Sequence, residues 1–292
     1  MRGSEVTDRM LTVGSRDIPR GRRLPEPKQS DKARIFAPLM NVLGDWASPE
    51  DVAQLGRDLE TARDIQARLL PPALPNLAGV EIGVALAASK VIGGDFYDFV
   101  PMPGGVGIVV GDVSGKGIPA ALLMVMTRTL FRAAAREEDE PGAILAKVNR
   151  ALCRDLPPSM FVTMVFAVLT LGAGRRLMVS NAGHVPPLLL KRGRKPVQLN
   201  AGGTVVGVFE DARFDAQEVA LAAGDLVVMC TDGVIENPNG GGIARAIQSL
   251  IQRIRAIADQ PARVIAQTLL DETRARQGGS LRDDATLLVL KA

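Results

Sequence analysis

Aromatic side chains are scarce: 3% of 292 residues, with one Trp and one Tyr. A nucleic-acid surface built on stacked bases has little to stack on, and aliphatic side chains must fill the core. Histidine occurs once, as His184, and cysteine twice, as Cys153 and Cys230. Those counts leave out the His/Cys cluster that zinc needs and any disulfide framework. Both thiols lie in apolar segments, as buried thiols of a reducing compartment do. No N-terminal stretch has the apolar core of a signal peptide. The most apolar run, Ile118 to Met126, falls short of the ~20 residues that cross a bilayer. The expectation is a cytoplasmic protein with no membrane span. An excess of one charge sign is missing too: 35 Lys+Arg against 32 Asp+Glu, net +3, argue against a nucleic acid as partner of the whole chain.

Aspartates in glycine-marked turns are what the chain does have. They stand in Gly93-Gly94-Asp95-Phe96-Tyr97-Asp98, Gly111-Asp112-Val113-Ser114-Gly115-Lys116-Gly117, Thr231-Asp232-Gly233 and Asp283-Asp284-Ala285-Thr286. Apolar runs lead into Asp112 and Asp232, and another follows Asp284. A carboxylate where a buried strand emerges is held by the sheet and open on one side. Taken singly, each Gly-Asp or Asp-Gly reads equally as a plain turn. If Asp95, Asp112, Asp232 and Asp283 converge, the clustered charge demands cations, and an all-oxygen donor set suits Mg²⁺ or Mn²⁺. Two such ions would neutralise the cluster and acidify a bridging water for attack on phosphorus. Asp98 reads as a turn-bonding residue, and Asp284 as the outward neighbour of Asp283, since adjacent strand residues face opposite ways.

The chain divides into three stretches: an extension over 1–47 with a basic tilt broken by acids, a linker or regulatory helix over 48–72, and one domain over 73–292. Ser48 and Asp51 form a capping-box pattern, and Pro71-Pro72 stops the helix. Val52, Leu55, Leu59, Ala62, Ile65 (or Gln66) and Leu69 form a stripe that either packs on its own domain or offers a dimer seam. Beyond it, strands are expected over Val80–Leu86, Val106–Asp112, Phe161–Leu171, Arg176–Ser180, Pro187–Lys191, Thr204–Phe209, Asp225–Cys230 and Ala285–Lys291. Helices are expected over Pro119–Ala135, 141–155, 243–257 and 261–276. That order predicts an α+β sandwich. Lys191-Arg192-Gly193-Arg194-Lys195 reads as an exposed hairpin turn able to attract an acidic partner.

In order and spacing these segments, with Ile65-Gln66, Leu69-Leu70-Pro71, Phe161-Val162-Thr163 and Asn181-Ala182-Gly183-His184, resemble the metal-dependent protein phosphatases of type 2C, in their bacterial SpoIIE/RsbU-like branch. The resemblance covers roughly residues 62–291. It implies a four-layer α/β/β/α sandwich of two antiparallel sheets flanked by helices, with two Mn²⁺ or Mg²⁺ ions at one end. Carried over, Asp112 bridges both metals, the Val113 carbonyl binds one, Asp232 and Asp283 hold the other, and Asp95 serves the metal on the Val113 side. The implied substrate is a phosphoserine or phosphothreonine protein, typically a STAS-type anti-sigma-factor antagonist in a partner-switching pathway. An activator protein docking on the 48–70 helix, or a homodimer through it, fits the same resemblance.

The chain departs from the family in places. Val113-Ser114 stands where eukaryotic relatives carry a histidine, as in the bacterial branch. His184 has two readings, an acid or a structural turn residue. The loop Asn237–Gly242 lacks the Phe-Gly usual after the third aspartate, which leaves its mobility and the substrate preference open. Two other functions compete: a catalytically silent binding module on the same fold, and a two-metal phosphoesterase for small phosphate esters.

Overall fold

The computed structural model describes residues 48–172, 174–236 and 242–292. The expected extension over 1–47 and most of the Asn237–Gly242 loop lie outside the described residues.

Helix α1 (Pro49–Leu69) opens the described chain. The Asp51 amide donates to Ser48 Oγ at 3.1 Å and the Ser48 amide to the Asp51 carboxylate at 3.0 Å, so the expected capping box forms and satisfies two orphan donors. Of the two residues that share one stripe position, Gln66 turns inward and Ile65 outward, 57% exposed. The stripe itself is only half-buried.

Then come β1 (Glu81–Ala87), β2 (Phe96–Met102), β3 (Gly105–Val113), α2 (Ile118–Ala134), α3 (Pro141–Asp155), β4 (Val162–Leu171), β5 (Arg175–Ala182) and β6 (Leu188–Leu190). The chain continues with β7 (Val197–Gln198), β8 (Gly202–Gly203), β9 (Gln217–Leu221), β10 (Leu226–Cys230), α4 (Asp232–Ile235), α5 (Gly242–Ala256), α6 (Ala262–Arg276) and β11 (Ala285–Lys291). Among the described residues these strands form two sheets, ordered β1-β11-β10-β6-β7 and β2-β3-β4-β5-β8, with β9 also on β5. Pairing is antiparallel except for the short β5–β8 contact.

Strand alternation explains why the central strands read as unbroken apolar runs. Val106, Ile108 and Val110 of β3, Val165, Ala167 and Leu169 of β4, Val227 and Met229 of β10, and Leu288 and Leu290 of β11 pack between the sheets. Their sequence neighbours face helices. Val109, Met164 and Phe166 meet α2 and α3, with Phe131 and Phe166 edge to face at 4.9 Å. Val228, Leu287 and Val289 meet α5 and α6. Three apolar layers make the expected α/β/β/α sandwich.

Two strand expectations need correction. Thr204–Phe209 is a loop touching β4 only through the Val162–Val206 bridge. Gly207 has φ +93°, and Asn149 on α3 supplies the loop's partners: it donates to the Phe209 carbonyl at 2.7 Å and accepts from the Gly207 amide at 2.8 Å. A side-chain amide replaces a neighbouring strand. Conversely, the segment read as a turn around Asp98 is strand β2, whose Pro101 is tolerated because β2 is a sheet edge. Asp98 is likewise no turn residue. It is buried at 1% exposure and pairs with Arg128 at 3.0 Å and Arg132 at 2.8 Å, tying α2 to β2.

Candidate functional site

Antiparallel pairing carries four aspartates to one end of the sandwich. Asp112 is the penultimate residue of β3. Asp95 precedes β2, one step beyond the Phe96–Gly111 pair, which sets it beside Asp112. Asp232 begins α4 straight after β10, and Asp283 lies two residues before β11.

Asp95 joins the two sheets at this end. Its Oδ2 accepts from Thr231 Oγ1 at 2.8 Å and from Thr286 Oγ1 at 2.7 Å. Those threonines face each other across β10 and β11: the Thr231 amide donates to the Thr286 carbonyl at 3.1 Å, and the Thr286 amide to Thr231 Oγ1 at 2.9 Å. Thr231 occupies the N-cap position of α4, yet its hydroxyl serves Asp95 instead of the helix. The other oxygen, Asp95 Oδ1, is buried and has no hydrogen-bond partner.

The electrostatics follow from burial and crowding. Burial drives the Asp95 carboxyl well above the ordinary carboxylate range, and the Asp112 charge adds to it against the two threonine hydroxyls. Burial, then the charge of Asp232, raises Asp112 to about 7. Asp232 is raised by burial and then by Asp283. Lys116 answers part of this charge: its ammonium sits 2.7 Å from Asp283 and donates to the Arg282 carbonyl at 2.8 Å.

Asp284 turns inward rather than outward. It is 5% exposed, and its carboxylate accepts from the Ser89 amide at 2.7 Å, Ser89 Oγ at 2.9 Å and the Gly94 amide at 2.7 Å. Asp283 and Asp284 precede β11, so strand alternation does not set their faces, and the Gly93-Gly94 loop comes close enough to fill Asp284's acceptor sites. A Cβ at Gly93 would collide with that carboxylate. Asp284 therefore braces the Asp95 loop.

The donor set fits a hard divalent cation in three respects: every side-chain donor is an oxygen, neighbouring carboxylate charges raise Asp95, Asp112 and Asp232, and Asp95 Oδ1 is buried without a donor. Among the described residues, however, no three Asp, Glu, His or Cys side chains stand close enough to form a ready-made metal cage.

Comparison with known proteins gives the family. The family model for stage II sporulation protein E (SpoIIE) matches residues 102–292. The chain belongs to the SpoIIE family. This SpoIIE-family chain is 29% identical over 241 residues to phosphoserine phosphatase RsbU of Bacillus subtilis, covering 82% of itself and 71% of RsbU. Against the structure of the RsbU and RsbW domains of Rv1364c from Mycobacterium tuberculosis, it is 26% identical with a TM-score of 0.64, over 73% of this chain and 59% of that one. The SiaA PP2C domain of Pseudomonas aeruginosa, 24% identical, shares the fold with a TM-score of 0.71, over 82% of this chain and 98% of that domain. By family, the chain is a protein serine/threonine phosphatase.

Further residues surround the four aspartates of this SpoIIE-family chain. Gln66 of α1 donates to the Gly93 carbonyl at 2.7 Å and accepts from the Gly93 amide at 3.2 Å, so α1 grips the loop that carries Asp95. Gln277 donates to the Gly233 carbonyl at 3.0 Å and accepts from the Arg282 amide at 2.7 Å, linking the Asp232 and Asp283 turns. Ser114 accepts from the Phe161 amide at 2.8 Å, behind Val113. Gln66 stands in a quoted motif, but no local pattern reveals a partner 27 residues away. His184 is buried, with Nδ1 2.8 Å from Thr163 Oγ1, and burial lowers it to about 4. Its amide donates to Asn181 Oδ1 at 2.7 Å, and Asn181 Nδ2 donates to its carbonyl at 3.0 Å. That is the structural turn reading. No described helix is long and apolar enough to cross a membrane.

Proposed function

We propose that this chain hydrolyses a phosphoserine or phosphothreonine monoester on a regulatory protein, with two divalent cations, Mn²⁺ or Mg²⁺, at the Asp95–Asp112–Asp232–Asp283 end. The observation that carries the reading is Asp95: a buried carboxylate pinned by two threonines, one oxygen left without a donor, beside a second carboxylate raised to about 7. Asp112, the Val113 carbonyl, Asp232 and Asp283 would complete the ligand set with Asp95. Bound cations would supply charge neutralisation and a nucleophilic water at neutral pH.

The chain's own residues do the rest. Thr231 and Thr286 fix the rotamer of Asp95, Ser89 and Asp284 hold its loop, and Lys116 steadies Asp283. No histidine is placed to protonate the leaving serine oxygen, because His184 is buried, neutral and engaged with Thr163. The substrate protein would be a STAS-type anti-sigma-factor antagonist in a partner-switching pathway; kinship with RsbU supports this. Through Gln66, α1 offers control of the Asp95 loop, by an activator protein docking on it or by pairing with a second copy.

The test is phosphate release from an aryl phosphate and from a phosphorylated STAS protein, with and without Mn²⁺, for the native chain and Asp112→Asn. Metal-dependent turnover that falls at least about 10²-fold in the variant is expected. Equal turnover in both would reject the site. Tight binding of the phosphoprotein with no release would establish a silent binding module. Turnover of the aryl ester alone would redirect the reading to small phosphate esters.

A further inference from the structure

The opposite end of the molecule carries the inverse charge. A cavity of about 620 Å³ opens between the β6–β7 turn, the start of β10, the end of β11 and the segment after α5. That volume falls in the range of small-molecule sites, roughly 300–1,000 Å³. Six cationic side chains line it, Lys191, Arg192, Arg194, Lys195, Arg255 and Lys291, against one carboxylate, Asp259. Leu190, Leu226 and Ala258 give it an apolar floor.

The cations fall into two kinds. Lys191 and Lys291 are anchored: Lys191 Nζ donates to the Ala220 carbonyl at 2.7 Å, and Lys291 Nζ to the carbonyls of Asp259 and Gln260 at 3.1 and 2.9 Å. Arg255 also donates to the Arg194 carbonyl at 3.3 Å, which ties the turn to the helical side. Arg192, Arg194 and Lys195, by contrast, are exposed, and no side-chain hydrogen bond or ion pair engages them among the described residues. The wall is built, and three cationic heads over it have nothing to bind.

We propose that this cavity binds a small polyphosphate anion, with Arg192 and Arg194 as its principal contacts and Lys195 as a supporting charge. Guanidinium forks match phosphate oxygens two at a time. A cavity of this volume, half-open to solvent, suits a compact ligand better than an acidic protein segment, and the cations form no stripe for a nucleic acid to follow. The site is separate from the carboxylate cluster. Leu226 lies in the cavity wall, and Asp232 follows six residues later, past the far end of β10, about 20 Å away at ~3.3 Å per residue. The proposal therefore stands or falls independently of the phosphatase reading.

Calorimetric titration of the full chain with pyrophosphate and with ATP, in EDTA so that no divalent ion recruits phosphate to the acidic end, tests it. Saturable binding is expected, weakened roughly tenfold or more in Arg192→Glu/Arg194→Glu with an unchanged melting temperature. Should that variant misfold, Arg192→Ala and Arg194→Ala are titrated singly, each with a smaller loss expected. No saturable heat at millimolar ligand, or equal affinity in folded variants, overturns the proposal. So does a poly-glutamate peptide that binds more tightly than either phosphate.

Discussion

The two ends of the sandwich concentrate opposite charges in opposite ways. At the acidic end, short carboxylates are fixed at strand termini, Asp95 buried, Asp112 half-buried and Asp232 at the mouth, so their crowding cannot relax and appears as raised pKa values for all three. At the basic end, long side chains reach out from a hairpin turn and solvent screens them. Crowding on short side chains at fixed strand ends makes a site that needs a counter-ion, whereas exposure on long side chains makes one that can accept a ligand but does not require it. Asp98 gives an internal control. It is as buried as Asp95, yet two arginines already answer its charge.

That contrast predicts opposite signs for similar substitutions. Asp98→Asn should destabilise the fold by about 3–5 kcal/mol, since it strands two partly buried guanidinium groups. Asp112→Asn, measured in chelator near neutral pH, should raise the melting temperature because it removes a repelling charge. A fall in both variants would break the comparison.

The pH dependence follows next. Asp112 titrates near 3.8 when unfolded and at about 7 when folded. Between those values the folded state binds more protons, so stability in chelator should decline as pH rises from about 4 to about 7, by a few kcal/mol at ~1.4 per unit. Saturating Mn²⁺ should flatten or reverse the slope. A chelated protein that gains stability over that window would refute the crowding.

Thr231→Val removes one of the two hydroxyls on Asp95 and should cost about 1–3 kcal/mol. It should also weaken Mn²⁺ affinity by roughly 10–100-fold, read by titrating activation. Gln66→Ala should cost about 1 kcal/mol and shift the same activation curve less. The smallest effect belongs to the basic end: Arg194→Ala should leave stability within about 0.5 kcal/mol and aryl phosphate turnover unchanged.

Much of the site was legible because its signals are local. Apolar runs leading into Gly111-Asp112 and Thr231-Asp232-Gly233 mark two strand ends, an apolar run following Asp283-Asp284 marks a third, and Gly93-Gly94 flags Asp95. The roles that stayed hidden depend on separate strands meeting. Asp284 reads as the outward neighbour until the Gly93-Gly94 loop, about 190 positions earlier, fills its acceptor sites. The Thr204–Phe209 run looks like a strand because Val205, Val206 and Val208 suit one, and Asn149 on α3 decides otherwise.

The sequence by itself determined the unbroken apolar runs of the central strands, the helix stop at Pro71-Pro72, the Ser48 cap and the family, since each rests on residues near in the chain or on their order along it. Tertiary structure alone decided which carboxylate oxygen stands unpartnered and which carboxylate braces a loop, that Thr231 serves Asp95 instead of capping α4, and that the Lys191–Lys195 turn lines a cavity. Those outcomes turn on a few ångströms between segments far apart in sequence. Hydrogen bonds and buried charges respond to that distance, and local propensity does not report it.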